Sequence, residues 1–111
     1  MSYNPSQIAF APLGPTITIT ANVSAPAAQQ APVSAGNQSV GQYRILNTGA
    51  ATVLLGVGNT AAEAQTNAAS AATAVPLLSG ATEVLRFGTG SYFSATAGSA
   101  TTIYIVPGQG L

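Results

Sequence analysis

Period-two alternation is the feature that most limits what this chain can fold into, because a pleated strand sends successive side chains to opposite faces. It is cleanest at Thr16–Val23, where Ile17, Ile19, Ala21 and Val23 fall on one face and Thr16, Thr18 and Thr20 on the other. The same period runs through 42–57. Tyr43 and Ile45 alternate with Gln42 and Arg44, and Val53, Leu55 and Val57 alternate with Thr52, Leu54 and Gly56. With Asn47-Thr48-Gly49-Ala50 between the two runs, this stretch reads as a β-hairpin that the rest of the sheet extends.

Further along, Ala74–Leu78 reads as a short edge strand, because Pro76 cannot donate to a central ladder. After a turn at Ser79-Gly80-Ala81 come Thr82–Phe87, Ser91–Thr96 and Thr101–Val106, separated by Gly88-Thr89-Gly90 and Ala97-Gly98-Ser99-Ala100. These read as a meander. Its last strand carries Ile103 and Ile105 on one face, Tyr104 and Val106 on the other, and is stopped by Pro107-Gly108. Thr60-Ala61-Ala62-Glu63 matches a capping box, so a short Ala-rich helix is expected over about 61–72, or failing that an ordered loop crossing one sheet. The sum is an all-β chain, an antiparallel β-sandwich or jelly-roll of about six to eight short strands. Its expected division is an extended N-terminal arm at 1–15, one domain at 16–107 and a short tail at 108–111. The Pro-, Ala- and Gln-rich segment 24–39 is expected to be a long exposed loop, and with the arm it is a candidate contact segment.

Composition narrows the chemistry. With no His, Lys or Cys there is no base for a Ser or Cys nucleophile, so serine or cysteine hydrolysis is not expected. Glu63 and Glu83 are the only carboxylates for a glycosidase pair or a metal, and one belongs to a helix start while the other belongs to a strand. An enzyme, a metal site and a cofactor are therefore not expected. Gly56-Val57-Gly58 and Gly88-Thr89-Gly90 are each half of a phosphate loop without the rest of the motif, and hairpin turns account for them. Arg86-Phe87 with Tyr92 and Phe93 outlines an aromatic platform, yet two arginines against two glutamates give no basic field for nucleic acid. A single threonine-faced strand does not make an ice-binding array. No apolar run is long enough for a helical membrane span, and the first residues lack a signal-peptide pattern, so synthesis in a cytoplasm is expected.

Charged residues make up only 4% of the chain and the net charge is zero, so little repulsion keeps copies apart and a homo-oligomer is expected. Charges set in strands call for partners. Arg44 is expected to pair with Glu83 across neighbouring strands, or Arg86 with a carboxylate of another subunit, against the alternative that all are solvated and contribute little.

Four stretches carry a resemblance: Tyr43-Arg44-Ile45-Leu46-Asn47-Thr48-Gly49, Thr52-Val53-Leu54-Leu55-Gly56-Val57-Gly58, Thr82-Glu83-Val84-Leu85-Arg86 and Ile103-Tyr104-Ile105-Val106-Pro107-Gly108-Gln109-Gly110. Together, over roughly residues 40 to 110, they resemble small tailed-bacteriophage virion proteins. The resemblance implies a compact β-sandwich that decorates or cements a capsid, with the major capsid protein and copies of itself as partners and the virion as its location. It equally admits a head-fibre, tail or adhesin component that binds host glycan, or a head-to-tail connector. It implies no individual functional residue and no small-molecule substrate.

Overall fold

The computed structural model describes residues 11–12, 15–31, 40–88 and 90–109. In chain order the elements are β1 (Ala11–Pro12), β2 (Ile17–Ala21), β3 (Gln29–Gln30), β4 (Val40–Asn47), β5 (Val53–Gly58), α1 (Ala61–Ala68), β6 (Val75–Leu77), β7 (Thr82–Gly88), β8 (Tyr92–Ala97) and β9 (Thr101–Gln109). Sheet A runs β1-β9-β4-β7, with β2 also on β9, and sheet B runs β3-β8-β5-β6. Among the described residues seven strands are longer than two residues, within the expected number, and they form an all-β sandwich with one short helix.

Connectivity decides between the two expected architectures. The antiparallel pairs β2–β9, β3–β8, β4–β7 and β5–β6 are nested, like one long hairpin whose tip lies between β5 and β6. Winding that hairpin on itself brings β9 beside β4 and β8 beside β5, which is jelly-roll topology. The 42–57 hairpin is therefore not formed, since β4 pairs with β7 and β9 while β5 pairs with β6 and β8. Nor is the meander: β7, β8 and β9 alternate between sheets. Alternation identified the strands correctly, but it is the same whether two strands pair or face each other across a core.

Asn47 accounts for the departure from a hairpin. It is 1% exposed at the end of β4, where a turn residue would face water. Its Nδ2 donates to Leu77 O and Ala51 O, both at 2.9 Å, and its Oδ1 accepts from the Gly49 N–H at 3.1 Å. Its backbone N–H donates to Ala81 O, and its carbonyl accepts from the Gly80 N–H. A buried amide satisfied at every group holds the crossing from sheet A to sheet B where a free turn would let β5 fold back on β4.

Between the sheets lie rows fixed by register. Ile17, Ile105 and Ile45 sit side by side across sheet A, as do Ile19, Ile103 and Asn47. They face Val53–Leu77–Ala97 and Leu55–Val75–Ala95 of sheet B. At one end Tyr43, Phe87 and Phe93 meet with centroids 5.3–6.1 Å apart, joining β4, β7 and β8. Edge-to-face contact adds to the burial of such rings.

Sheet B is covered on its outer side by α1. The Thr60 hydroxyl accepts from the Glu63 N–H, as the capping box predicts, and the helix ends at Ala68 rather than near 72. Gly56 and Gly58 lie within β5 rather than in a turn, and they let the helix approach. A Cβ on Gly56 would fall 2.2 Å from Ala64 O and 2.3 Å from the Ala68 N, and one on Gly58 2.7 Å from the Ala64 N. Ala64 and Ala68 fill this seam, and the Thr96 hydroxyl donates to Ala68 O at 2.5 Å. An eight-residue helix is marginal alone, so this seat supplies its stability.

Four further expectations change. Val23 is 74% exposed, because β2 ends at Ala21 and Asn22 bridges to Thr96 of sheet B. Within the 24–39 loop, Gln29–Gln30 form an edge strand on β8, Ala31 is buried, and Pro26 O accepts from Gln65 Nε2 and Ser94 Oγ. Residues 32–39 lie outside the described residues. Pro107-Gly108 does not stop β9, which runs to Gln109 and takes in the start of the expected tail. Pro107 is tolerated because pairing along that side breaks there among the described residues, between Ile105 on β2 and Gly108 on β1. Of the expected arm, Ala11–Pro12 form β1, while 1–10, 13–14 and 110–111 lie outside the described residues.

Two substitutions test this architecture. Asn47→Leu removes the Asn47 partner from two carbonyls and one N–H, at about 1–3 kcal/mol each, so a fall in melting temperature of at least about 10 °C is expected by calorimetry. A variant that melts as the wild type does would remove Asn47 from its role. Gly56→Ala is expected to cost about 1–3 kcal/mol by overpacking and to abolish amide-exchange protection over 61–68 before the sheets open. Unchanged protection there would contradict the close seat of α1.

Candidate functional site

Among the described residues no group of three or more His, Cys, Asp or Glu could hold a metal ion. Glu63 lies in the first turn of α1, outside sheet B, and Glu83 lies on β7 of sheet A, so the two carboxylates form no pair. The expected aromatic platform is dispersed: Phe93 is buried, Phe87 is half-buried against it, Tyr92 lies opposite Gly58 in sheet B, and Arg86 is exposed on sheet A. No helix among the described residues is long and apolar enough to cross a membrane.

Register places the charged strand residues. Arg44 lies opposite Val84 and Val106, and Arg86 lies opposite Gln42, all on the outer face of sheet A. Glu83 lies opposite Ile45 and therefore points to the inner side of the sheet. Period-two alternation thus separates Arg44 from Glu83, and the expected cross-strand pair is not made. The structure instead brings Arg44 and Arg86 together on one face. Glu83 ends the row Ile17–Ile105–Ile45 on an edge strand and remains exposed there. A charge pointing inward from an edge opposes the addition of another strand.

The other edges are closed in other ways. Pro76 sits in β6, at the edge of sheet B. Beside β2, Gln29 Nε2 donates to Thr18 O at 2.6 Å, and the Asn22–Thr96 bridge ties the strand end to the second sheet. Gln30 Nε2 donates to Gly90 O at 3.0 Å. With sheet B covered by α1, the outer face of sheet A is the broad surface that no helix or strand covers among the described residues.

On this face Tyr104 lies between Thr18 and Leu46, and Val106, Arg44 and Val84 form the next row. Tyr104 is 37% exposed and Val84 36%, while Leu46 and Val106 are half-buried. The face is therefore apolar with a cationic pair, and no carboxylate shares it among the described residues. Arg44 and Arg86 were singled out from the sequence as charges in strands. Tyr104, Val84, Val106 and Leu46 were not, and only the outward phase of each strand, once register is known, collects them.

One side chain has a shifted proton affinity. Burial pushes the Tyr43 phenol above its ordinary value. This belongs to the aromatic cluster and to stability, because the phenolate is disfavoured where the ring is packed. Comparison with protein-family models, with curated proteins and with solved structures returned no match to this chain.

A proton affinity raised on folding stabilises the protein while Tyr43 is protonated in both states, and that stability is lost as pH rises through the folded-state value. Wild-type stability is therefore expected to fall as pH rises above about 10, and Tyr43→Phe to flatten that fall. Denaturant midpoints measured against pH check this. Parallel alkaline declines in both proteins would place the effect elsewhere.

Proposed function

We propose that this chain is a non-enzymatic structural protein of a tailed-bacteriophage particle, which decorates or cements the capsid through contacts between neighbouring subunits. The observation that carries the reading is the open outer face of sheet A. It presents Tyr104, Val84, Leu46 and Val106 with Arg44 and Arg86, on a sandwich whose other sheet is covered by α1. Apolar area of this kind gains about 25 cal/mol per Å² when removed from water, and a repeated lattice multiplies a modest contact. The jelly roll is compatible with the reading, being an architecture of capsid and lectin domains, but a fold by itself assigns no role. The resemblance of residues 40 to 110 to small virion proteins supplies the particle context.

Cementing has a direct test. Shells assembled from the major capsid protein are expected to take up many copies of this chain and to rupture at higher temperature when loaded. Tyr104→Ser is expected to lower occupancy while leaving the melting temperature within about 3 °C, since the side chain sits on an outward face. Bare and loaded shells rupturing together would refute cementing. Binding to host glycan in the absence of any shell binding would assign an adhesin role instead.

A further inference from the structure

We infer that copies of this chain bind one another head to tail, the open face of sheet A on one copy seating on the α1 face of the next. The inference rests on reading the open face as a protein-contact surface, and it is independent of any virion location.

Three observations carry it. First, charge is sorted by layer. Arg44 and Arg86 project from the outside of sheet A, whereas Glu63 is exposed on α1, beyond the outside of sheet B. The inward-pointing Glu83 also lies on the sheet B side of sheet A. A chain of zero net charge thus carries a positive face and an opposing face with a carboxylate.

Second, the two faces suit each other in relief. The α1 side exposes Ala61, Ala62, Ala69 and Ala72 with Thr66 and Ser70 among them, a surface of small side chains. The open face offers the larger Tyr104 and Val84, with Leu46 and Val106 between them. Two open faces placed together would set arginine against arginine, and two α1 faces would set Glu63 against Glu63. Like charges brought together disfavour both two-fold arrangements.

Third, Glu83, Pro76 and the Gln29 side chain oppose strand addition along β7, β6 and β2, which favours association through the faces. The contact is heterologous, with different patches on the two copies. The patches lie on opposite sides of a layered molecule, so it propagates as an open stack and does not stop at a dimer.

Sedimentation velocity on the full chain over a concentration series tests this. The wild type is expected to grow beyond dimer with concentration at about 10 mM salt and to dissociate at about 1 M, where the Debye length falls from about 30 Å to about 3 Å. Arg44→Glu/Arg86→Glu and Glu63→Arg are each expected to weaken self-association at least about tenfold alone. An equimolar mixture of the two is expected to restore it, because each altered face then meets an opposite charge. Glu63→Gln, which keeps the side-chain shape at the helix start, is expected to fall between wild type and Glu63→Arg. Circular dichroism confirms folding of each variant. A wild type that stays monomeric, a Glu63→Arg variant that assembles normally, or a mixture that fails to recover would each overturn the inference. Shell occupancy is a separate readout, so its loss without loss of stacking would count against the proposed function alone.

Discussion

Asn47 links the two sheets through a buried amide. Its side chain ends β4 in sheet A and donates to Leu77 O in sheet B, while its backbone pairs with Gly80 and Ala81 ahead of β7. Hydrogen bonds to buried carbonyls are modest in net value, but leaving those carbonyls unpaired is costly, so the geometry is held by the penalty for breaking it. Once β4 and β5 are committed to different sheets, β7 is free to pair with β4, and the nested pairing that makes a jelly roll follows. The isoleucine rows of sheet A and the Val, Leu and Ala side chains of sheet B then close over one another.

The sequence treats the two outer faces differently. Sheet B carries Gly56, Gly58, Ser94 and Thr96 outward, small enough for α1 to pack close to the strand backbone, with Ala64 and Ala68 as the contact. Sheet A carries Tyr104, Val106, Leu46, Val84 and the two arginines outward, too bulky for a helix at that distance, and among the described residues none lies there. The difference in side-chain size matches which sheet, among the described residues, is capped by a helix and which is not. The proposed structural role draws on that asymmetry rather than on any single residue.

Strand identity was legible in the sequence, and strand partnership was not. The alternation at Ile17–Ala21, Tyr43–Ile45, Val53–Val57 and Ile103–Ile105 named the core side chains, and Pro76 correctly marked an edge. The capping box located the start of α1, whose end fell short because the residues beyond Ala68 find no seat on sheet B. Pairing is a long-range property, and a period of two is identical for a hairpin and for strands facing each other across a core. Asn47 carried the deciding signal, but an asparagine before a glycine-containing turn is usually exposed, and only its burial shows that it is a crossing. The charged positions fared similarly: Arg44 and Glu83 were in adjacent strands as expected, and a one-residue offset in register put them on opposite faces.

Because the chain contains no cysteine, its pairing can be tested with engineered disulfides free of competing thiols. Cross-strand neighbours have Cβ atoms about 4.5–5.5 Å apart, close enough to bridge with little backbone movement. Arg44→Cys/Val84→Cys, opposite each other on β4 and β7, is predicted to cross-link under mild oxidation in the folded protein. Arg44→Cys/Val53→Cys, which a 42–57 hairpin would bring together, is predicted to stay reduced. Cross-linking of the second pair and not the first would contradict the jelly-roll pairing and, with it, the open face built upon it.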